Sequence, residues 1–340
     1  MTTYFSTSIS GTNPIVEELL KRNLKAVNIL ASLDGLLVYT TESEPGEVKQ
    51  LRGINNSFIV IKMVKNNQPT TVEKLIKQVL GEPKILQAIT HNISPRQFTF
   101  RVVTSEENHM VSINDALITQ LEGRIGHRSH LKPNRRNPQN EIWFMTRSEG
   151  YSFVAVRLTK SSHTEKSLQK GELPPELAHL LCFLSEPAKE DIVLDPFAGY
   201  GAIPIERTNS KAKEIKAIDN DPALIEVLAE KVKLLNKKMI VQRGDATNLK
   251  NIEDHTIDKI VTDPPWGLYD KDIDIPKMYQ KAFNEFNRIL KPGGIIIILA
   301  QKELMDKMLT SFSKELLLEI QYNILVSGKK ATIYKFKKAL

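Results

Sequence analysis

The stretch VTDPPWGLYD, residues 261–270, places an acid, two prolines and a tryptophan directly after the apolar pair Ile260-Val261. Proline lacks the N–H that a strand ladder needs, so a strand running through Val261 must stop at Asp263 and give way to a rigid turn. A carboxylate held there can accept one N–H of an exocyclic amino group, and the Pro264 carbonyl can accept the other. The nitrogen lone pair is then turned toward an electrophile, and the carboxylate stabilises the positive charge that develops on nitrogen. Pro264 and Pro265 fix the backbone that carries both acceptors. Trp266 offers a broad π face for a base pulled out of its stack, and Gly267 leaves room for the ring. The same tetrapeptide also fits a plain strand exit with a stray aromatic, so its surroundings must decide.

Upstream, DIVLDPFAGYGAIPIER (residues 191–207) reads as strand, glycine turn and helix, with Asp195 at the strand's carboxyl end and Gly199 and Gly201 before Ala202. Ligands of open parallel sheets bind outside the carboxyl ends of strands, and glycines there let backbone approach them closely. IKAIDND ends the next strand at Asp219, an acid placed to accept both hydroxyls of a ribose. QRGDAT puts Asp245 at the end of a third, where it can accept from an adenine amino group. Phe197, Asn220 and Ala246 flank these positions as further cofactor contacts. Three acids repel a pyrophosphate, and the glycines do not follow the G-x-G-x-x-G spacing of dinucleotide sites. The acids suit a cationic nucleoside carrying an amino acid, with Asp195 near its positive end. S-adenosylmethionine has those properties and is the expected cofactor. No metal is expected, because Cys182 is the sole cysteine and His163, His179 and His255 lack metal-ligand spacing.

These residues need a scaffold. The spacing predicts strands over Asp191–Leu194, Glu214–Ile218, Met239–Gln242, Lys259–Thr262 and Ile295–Ala300, alternating with helices over Ala202–Asn209, Pro222–Asn236 and Ile275–Leu290. That alternation means a parallel α/β sheet buried on both faces. "KPGG" (Lys291–Gly294) reads as a turn, Phe312–Leu318 as helix-like, and Gln321–Val326 with Ala331–Lys337 as a closing hairpin around Ser327-Gly328, giving an antiparallel edge. The N-terminal half reads as two α+β units. The first has a strand (Tyr4–Ser8), a helix (Asn13–Lys25) and two strands (Gly35–Thr41, Phe58–Val64). The second has a helix (Thr71–Leu80), a strand (Gln97–Val103), a helix (Ser112–Glu122) and two strands (Glu141–Thr146, Phe153–Leu158) around the turn Ser148-Glu149-Gly150. Residues 161–172 are polar and read as a linker. The expected division is therefore 1–65, 66–160, a linker over 161–172, and 173–340. Phe98 with Phe100 and Tyr151 with Phe153 recur at period 2, so each pair is expected to face a core. Asp258 reads as polar trim at a strand entrance and Glu206 as compensation of a helix dipole.

The composition bounds the function. The chain has 340 residues, a formal net charge of +7 and 41% hydrophobic residues. It has no run of about 18 apolar residues, which argues against a membrane-spanning helix. The start, Met1–Phe5, does not read as a secretory signal, and a single cysteine fits a reducing, intracellular compartment. The charge permits a polyanionic partner without requiring one. GRIGHRSHLKPNRRN (residues 123–137) concentrates Arg124, Arg128, Lys132, Arg135 and Arg136 without an acid. On its own it is either a solvated basic loop or a phosphate-contacting surface.

DPFAGYG, AIDND, GDAT and DPPWG, in this order, resemble the amino-methylating nucleic-acid methyltransferases of the Rossmann-like type. FTFRVVTSE, the helix after it, LKPNRRNPQNEIWF and SFVAVRL look like a THUMP domain, and residues 1–65 resemble the ferredoxin-like domain that often precedes it. The chain is thus similar to the THUMP-containing RNA guanine 2-amino methyltransferases, many of which act on tRNA. The resemblance implies an S-adenosylmethionine-dependent RNA methyltransferase whose substrate is structured RNA, most often tRNA, with rRNA, another structured RNA or adenine N6 as alternatives. It implies a cytoplasmic monomer with no membrane partner and leaves a small partner subunit open. Asp263, Pro264 and Trp266 would form the catalytic clamp, and the five basic residues of 123–137 would contact RNA. Two departures stand out. Ala198-Gly199-Tyr200-Gly201 replaces the common Cys-Gly-Ser/Thr-Gly, so that Tyr200 would narrow the methionine site, and Trp266 replaces a tyrosine.

Overall fold

The computed structural model describes residues 1–66, 70–93, 98–159, 168–169, 171–267 and 274–340. The linker expected over 161–172 and His163 lie largely or wholly outside them. Two compact units emerge, Met1–Thr7 with Leu20–Ser161 and Ser8–Leu19 with Ser162–Leu340.

The first half of the chain carries β1 (Thr2–Thr7), α1 (Asn13–Asn23), β2 (Asn28–Leu33), β3 (Leu36–Thr41), α2 (Pro45–Lys49), β4 (Asn56–Lys65), α3 (Val72–Leu80), α4 (Pro83–His91), β5 (Thr99–Glu106), β6 (His109–Met110), α5 (Asp115–Ser129), β7 (Lys132–Pro133), β8 (Asn140–Thr146) and β9 (Tyr151–Arg157). Among the described residues one sheet runs β2-β3-β1-β4-β9-β8-β5-β6, with β7 added alongside β5. The antiparallel β4–β9 pairing joins the two expected N-terminal domains into this single sheet. The boundary at residue 65 is therefore a change of motif and not a gap between bodies, because β4 finds its hydrogen-bond partner nearly a hundred residues later. One sheet face packs on helices through Leu75, Ile76, Val79, Ile89, Leu121 and Ile125 against Phe100, Ile142, Phe144 and Val154. The spacing of Val72, Leu75, Ile76, Val79 and Leu80 makes α3 a one-sided helix, which explains that burial.

The second half carries α6 (Pro175–Leu184), β10 (Ile192–Asp195), α7 (Ala202–Arg207), β11 (Glu214–Asp219), α8 (Pro222–Leu234), β12 (Ile240–Arg243), β13 (Ile257–Thr262), α9 (Ile275–Ile289), β14 (Leu290–Gln301), α10 (Lys302–Met308), β15 (Leu316–Val326) and β16 (Lys329–Lys338). The sheet order is β12-β11-β10-β13-β14-β16-β15. β12 through β14 are parallel, whereas β16 pairs antiparallel with both β14 and β15. The near-continuous apolar run Ile295–Ala300 is buried on both faces, as a parallel core strand requires.

Two readings need correction here. Leu316–Leu318 belongs to β15 and not to a helix, because its apolar run pairs with Lys338–Phe336 of β16. Lys291–Gly294 lies inside β14 at a register irregularity, with Gly293 at φ 74°, and so is a bulge at the strand's head. The hairpin at Ser327-Gly328 forms as read, both residues at positive φ. None of the described helices is long and apolar enough to cross a membrane.

Candidate active site

The chain lays β10, β11 and β12 successively to one side, then returns to place β13 and β14 on the other. The switch point of the sheet is therefore the crevice between β10 and β13, where ligands of open α/β sheets bind. Asp195 ends β10 and Asp263 follows β13, so these two acids stand on either side of the crevice. Asp219 ends β11 and Asp245 follows β12. The four acids thus lie in the order Asp245, Asp219, Asp195, Asp263 across adjacent strands spaced about 4.8 Å apart.

Each acid is held. Asp195, buried, takes Thr262 Oγ1 at 2.7 Å and the Phe197 N–H at 3.2 Å on its Oδ1. Asp219 takes the Gly199 N–H at 2.8 Å on Oδ2 and the Asp221 N–H at 3.0 Å on Oδ1. Asp245 Oδ1 takes the Thr247 N–H at 2.8 Å. Asp263 Oδ1 takes Trp266 Nε1 at 2.9 Å. Burial is the main force on the two central acids. It pushes Asp195 up to about 7, with repulsion from Asp219 adding to it, and Asp263 up to about 8, with repulsion from Asp195 adding to it. Thr262 and the Phe197 N–H oppose the first shift and Trp266 the second. Burial disfavours the charged form of both carboxyls beside the crevice, and a cation entering there favours it.

The glycine turn is shaped for a ligand. Gly201 sits at φ 84°, and a Cβ there would meet Leu228 Cδ1 at 2.2 Å, so this glycine serves packing against α8. Gly199 sits at φ 51° with nothing within 4 Å of the Cβ position, so its open side is a cradle that a side chain would fill. The donor set fits S-adenosylmethionine on that observation. A carboxylate has about four lone-pair sites, so Asp219 and Asp245 keep acceptor capacity for hydroxyl and amino donors. Phe197 is half-buried against the sheet core, Ala246 is buried and Asn220 is exposed beside Asp219. Tyr200 lines a cavity with Glu172, Val227, Lys231 and Leu234 beside α8.

The turn after β13 has a support that the sequence did not signal. Tyr279 of α9 is buried and donates its hydroxyl to the Pro265 carbonyl at 3.2 Å. Nothing in a lone tyrosine fourteen residues downstream marks that contact, and Thr262 was likewise read only as strand. Asp258 does sit at a strand entrance, accepting the Ile192 N–H at 2.9 Å and pairing with Lys291 at 2.7 Å. Glu206 is not an exposed dipole partner. It is buried and meets His179 Nδ1 at 2.9 Å. Asp191 and Arg207 form a buried pair at 3.1 Å that ties the start of β10 to α7.

In the N-terminal unit the basic segment begins inside α5, which runs on to Ser129 and ends at His130 in the left-handed region, φ 58°. Arg124 donates to the Leu80 carbonyl at 3.0 Å, which closes the end of α3. Arg135 reaches back to the buried Glu122 at 3.2 Å. All five basic residues are exposed, and Arg124 and Arg135 are in addition engaged within the unit. Phe98 is 66% exposed rather than buried, because β5 begins only at Thr99. Phe153 is buried as expected, and Tyr151 is half-buried and stacks on it with centroids 6.1 Å apart.

The comparisons agree with this architecture. The structure of TrmN from Thermus thermophilus matches 99% of this chain and 100% of its own, with a TM-score of 0.75 at 18% identity, which establishes a shared fold. The mouse tRNA (guanine(6)-N(2))-methyltransferase THUMP3 is 27% identical over 286 residues, 76% of this chain and 55% of its own length. A probable tRNA (guanine(10)-N2)-dimethyltransferase of Methanothermococcus thermolithotrophicus is 30% identical over 135 residues, 38% of this chain and 82% of its own. The chain spans between about a third and just over half of the mouse, Methanocaldococcus jannaschii and bovine relatives. The model of the RMKL-like methyltransferase domain matches residues 163–325, the segment that carries the glycine turn, the acid row and the turn after β13. With the same segment carrying both the match and the crevice, the chain belongs to the family of RMKL-like methyltransferase domains.

Proposed function

We propose that this chain transfers a methyl group from S-adenosylmethionine to the exocyclic 2-amino group of a guanosine in tRNA. The single observation that carries the reading is Asp263. It is an acid on a proline-stiffened turn at the sheet's switch point, one strand away from Asp195. The tRNA guanine-N2 methyltransferases to which the chain is similar supply the amino group and the RNA.

The bound cofactor would supply an electrophilic methyl on a cationic sulfur. The chain's own residues do the rest. Asp219 would accept the ribose hydroxyls, Asp245 the adenine amino group, and Asp195 would face the positive end from the floor of the crevice. Gly199 and Gly201, with Phe197, Asn220 and Ala246, would frame it. Asp263 and the Pro264 carbonyl would each accept one N–H of the guanine amino group, so that the lone pair points toward the methyl. Entry of a cation lowers the cost of ionising Asp263, which readies it as an acceptor when the donor is present. The carboxylate then stabilises the charge on nitrogen and can take the proton that nitrogen must lose.

The N-terminal unit would serve as a THUMP-like RNA-binding part, with Arg128, Lys132 and Arg136 toward phosphates and Arg124 and Arg135 as partly structural members. The reading implies a cytoplasmic monomer. Incubation with a radiolabelled donor and separate pools of unmodified tRNA, rRNA and DNA tests it. Label entering tRNA supports the reading, and label entering only rRNA or DNA overturns the substrate.

A further inference from the structure

Trp266 and Asp263 lie three residues apart on one turn, and the indole N–H donates to Asp263 Oδ1 at 2.9 Å. Such a bond leaves the ring in its own plane, from the edge, so making it does not use up the π face. With Oδ1 engaged, the carboxylate still offers Oδ2. The turn that carries both residues is pinned from α9 by the Tyr279 hydroxyl on the Pro265 carbonyl. One side chain therefore touches the acceptor with its edge, through a bond that does not engage its face.

We propose that Trp266 is a positioning residue as well as a stacking surface: its indole N–H fixes the rotamer of Asp263, so that Oδ2 is the oxygen presented to the substrate amino group. This rests on the reading of Asp263 given above. A phenylalanine at 266 would supply a face without an edge donor, and a tyrosine would carry its hydroxyl at the far end of the ring. The choice of tryptophan thus links where the base lies to where its acceptor points.

The electrostatics give the idea a separate readout. Asp263 meets Asp195 from β10 and Tyr279 from α9. Asp195 disfavours its charge, and burial raises the Tyr279 hydroxyl further above its ordinary range, so Tyr279 stays neutral. Among these neighbours only the Trp266 N–H favours the ionised form. Its loss should move the ionisation of Asp263 to higher pH.

The test uses the full chain, saturating donor and unmodified bulk tRNA, with single-turnover rates measured between pH 6 and 10. Trp266→Phe should lower the rate near pH 7 by about tenfold and shift the acid limb upward by about one pH unit, the size of one hydrogen bond to a charged group. The RNA concentration needed for half-saturation should stay close to wild type. Trp266→Tyr, closer in bulk, should show the same limb shift, which guards against a folding defect in the first variant. Trp266→Ala should add a higher RNA requirement. Wild-type rate and an unmoved limb in Trp266→Phe and Trp266→Tyr overturn the proposal, as does a defect confined to RNA half-saturation. If Asp263→Ala itself turns over normally, the underlying reading fails. If it is inactive while Trp266→Phe behaves as wild type, only the positioning role fails.

Discussion

Gly199 and Gly201 stand two residues apart in one turn, both at positive φ, and should fail in opposite ways when given a side chain. Alanine at either position costs about 1–2 kcal/mol for left-handed backbone. At Gly201 the new Cβ also meets Leu228 Cδ1 at 2.2 Å and Ile205 Cδ1 at 3.2 Å. Leu228 is wholly buried in a small cluster with Ala198, Ala217 and Val232, so it cannot swing aside freely, and overpacking adds about 1–3 kcal/mol. Gly201→Ala should therefore lose roughly 2–5 kcal/mol of stability. At Gly199 the Cβ meets no protein atom, so only the backbone cost remains, but on the proposed placement of the cofactor the methyl would intrude on its side of the turn. Denaturant unfolding measures the first effect, and calorimetric titration with S-adenosylmethionine measures the second. Gly199→Ala should fold with at most a modest loss and bind the donor at least tenfold more weakly. A folded Gly199→Ala that binds the donor as wild type does would refute the placement of the cofactor against this turn.

Three more outcomes follow from the same geometry. Asp219→Ala should weaken donor binding by about 1–3 kcal/mol in calorimetry, because it removes the ribose acceptor and frees the Gly199 N–H; unchanged affinity would take Asp219 out of the site. Asp195→Asn keeps an oxygen for Thr262 and the Phe197 N–H but cannot ionise. In the folded wild type Asp195 holds its proton up to about 7 against 3.8 for an ordinary aspartate, so this group's contribution to stability is fully present below about pH 4 and is lost as pH rises toward 7. The difference in denaturant midpoint between Asp195→Asn and wild type should shift in the variant's favour from pH 4.5 to pH 8, and a pH-independent difference contradicts burial of an ionisable group there. Replacing Lys132 and Arg136 together by Glu should weaken tRNA binding and reduce its salt slope by about 2 while leaving donor affinity intact; an unaltered slope makes the segment a solvated surface.

The methyltransferase half was legible because its signals are local. β10, β11, β12 and β13 each end at or just before an acid, and a parallel sheet buries its strands on both faces, so periodicity and motif point the same way. Where local signals conflict, tertiary contacts decide. Leu316–Leu318 has the short apolar character shared by helices and strands, and pairing with β16 settles it. The helix predicted over Ser112–Glu122 stops before Gly123, yet α5 runs on through Gly123 and Gly126 to Ser129. A Cβ at Gly126 would approach the Leu131 carbonyl at 2.9 Å, so that glycine permits the chain to fold back on the helix. The exposure of Phe98 reflects a strand that starts at Thr99, two residues later than the alternation suggests. The roles of Thr262 and Tyr279 are contacts between separate elements, and no spacing in the sequence encodes them.

The most direct test of the central claim is identification of the nucleoside methylated in unmodified tRNA by wild type and by Asp263→Ala under single turnover. Losing a preorganised electrostatic partner costs on the order of 10²–10³ in rate, and the contact matters mostly in the transition state. The account predicts N2-methylguanosine with wild type and a loss of that size with the variant, which should still bind donor and tRNA. A methyl group on a different nucleoside, or near-normal turnover by Asp263→Ala, would contradict it.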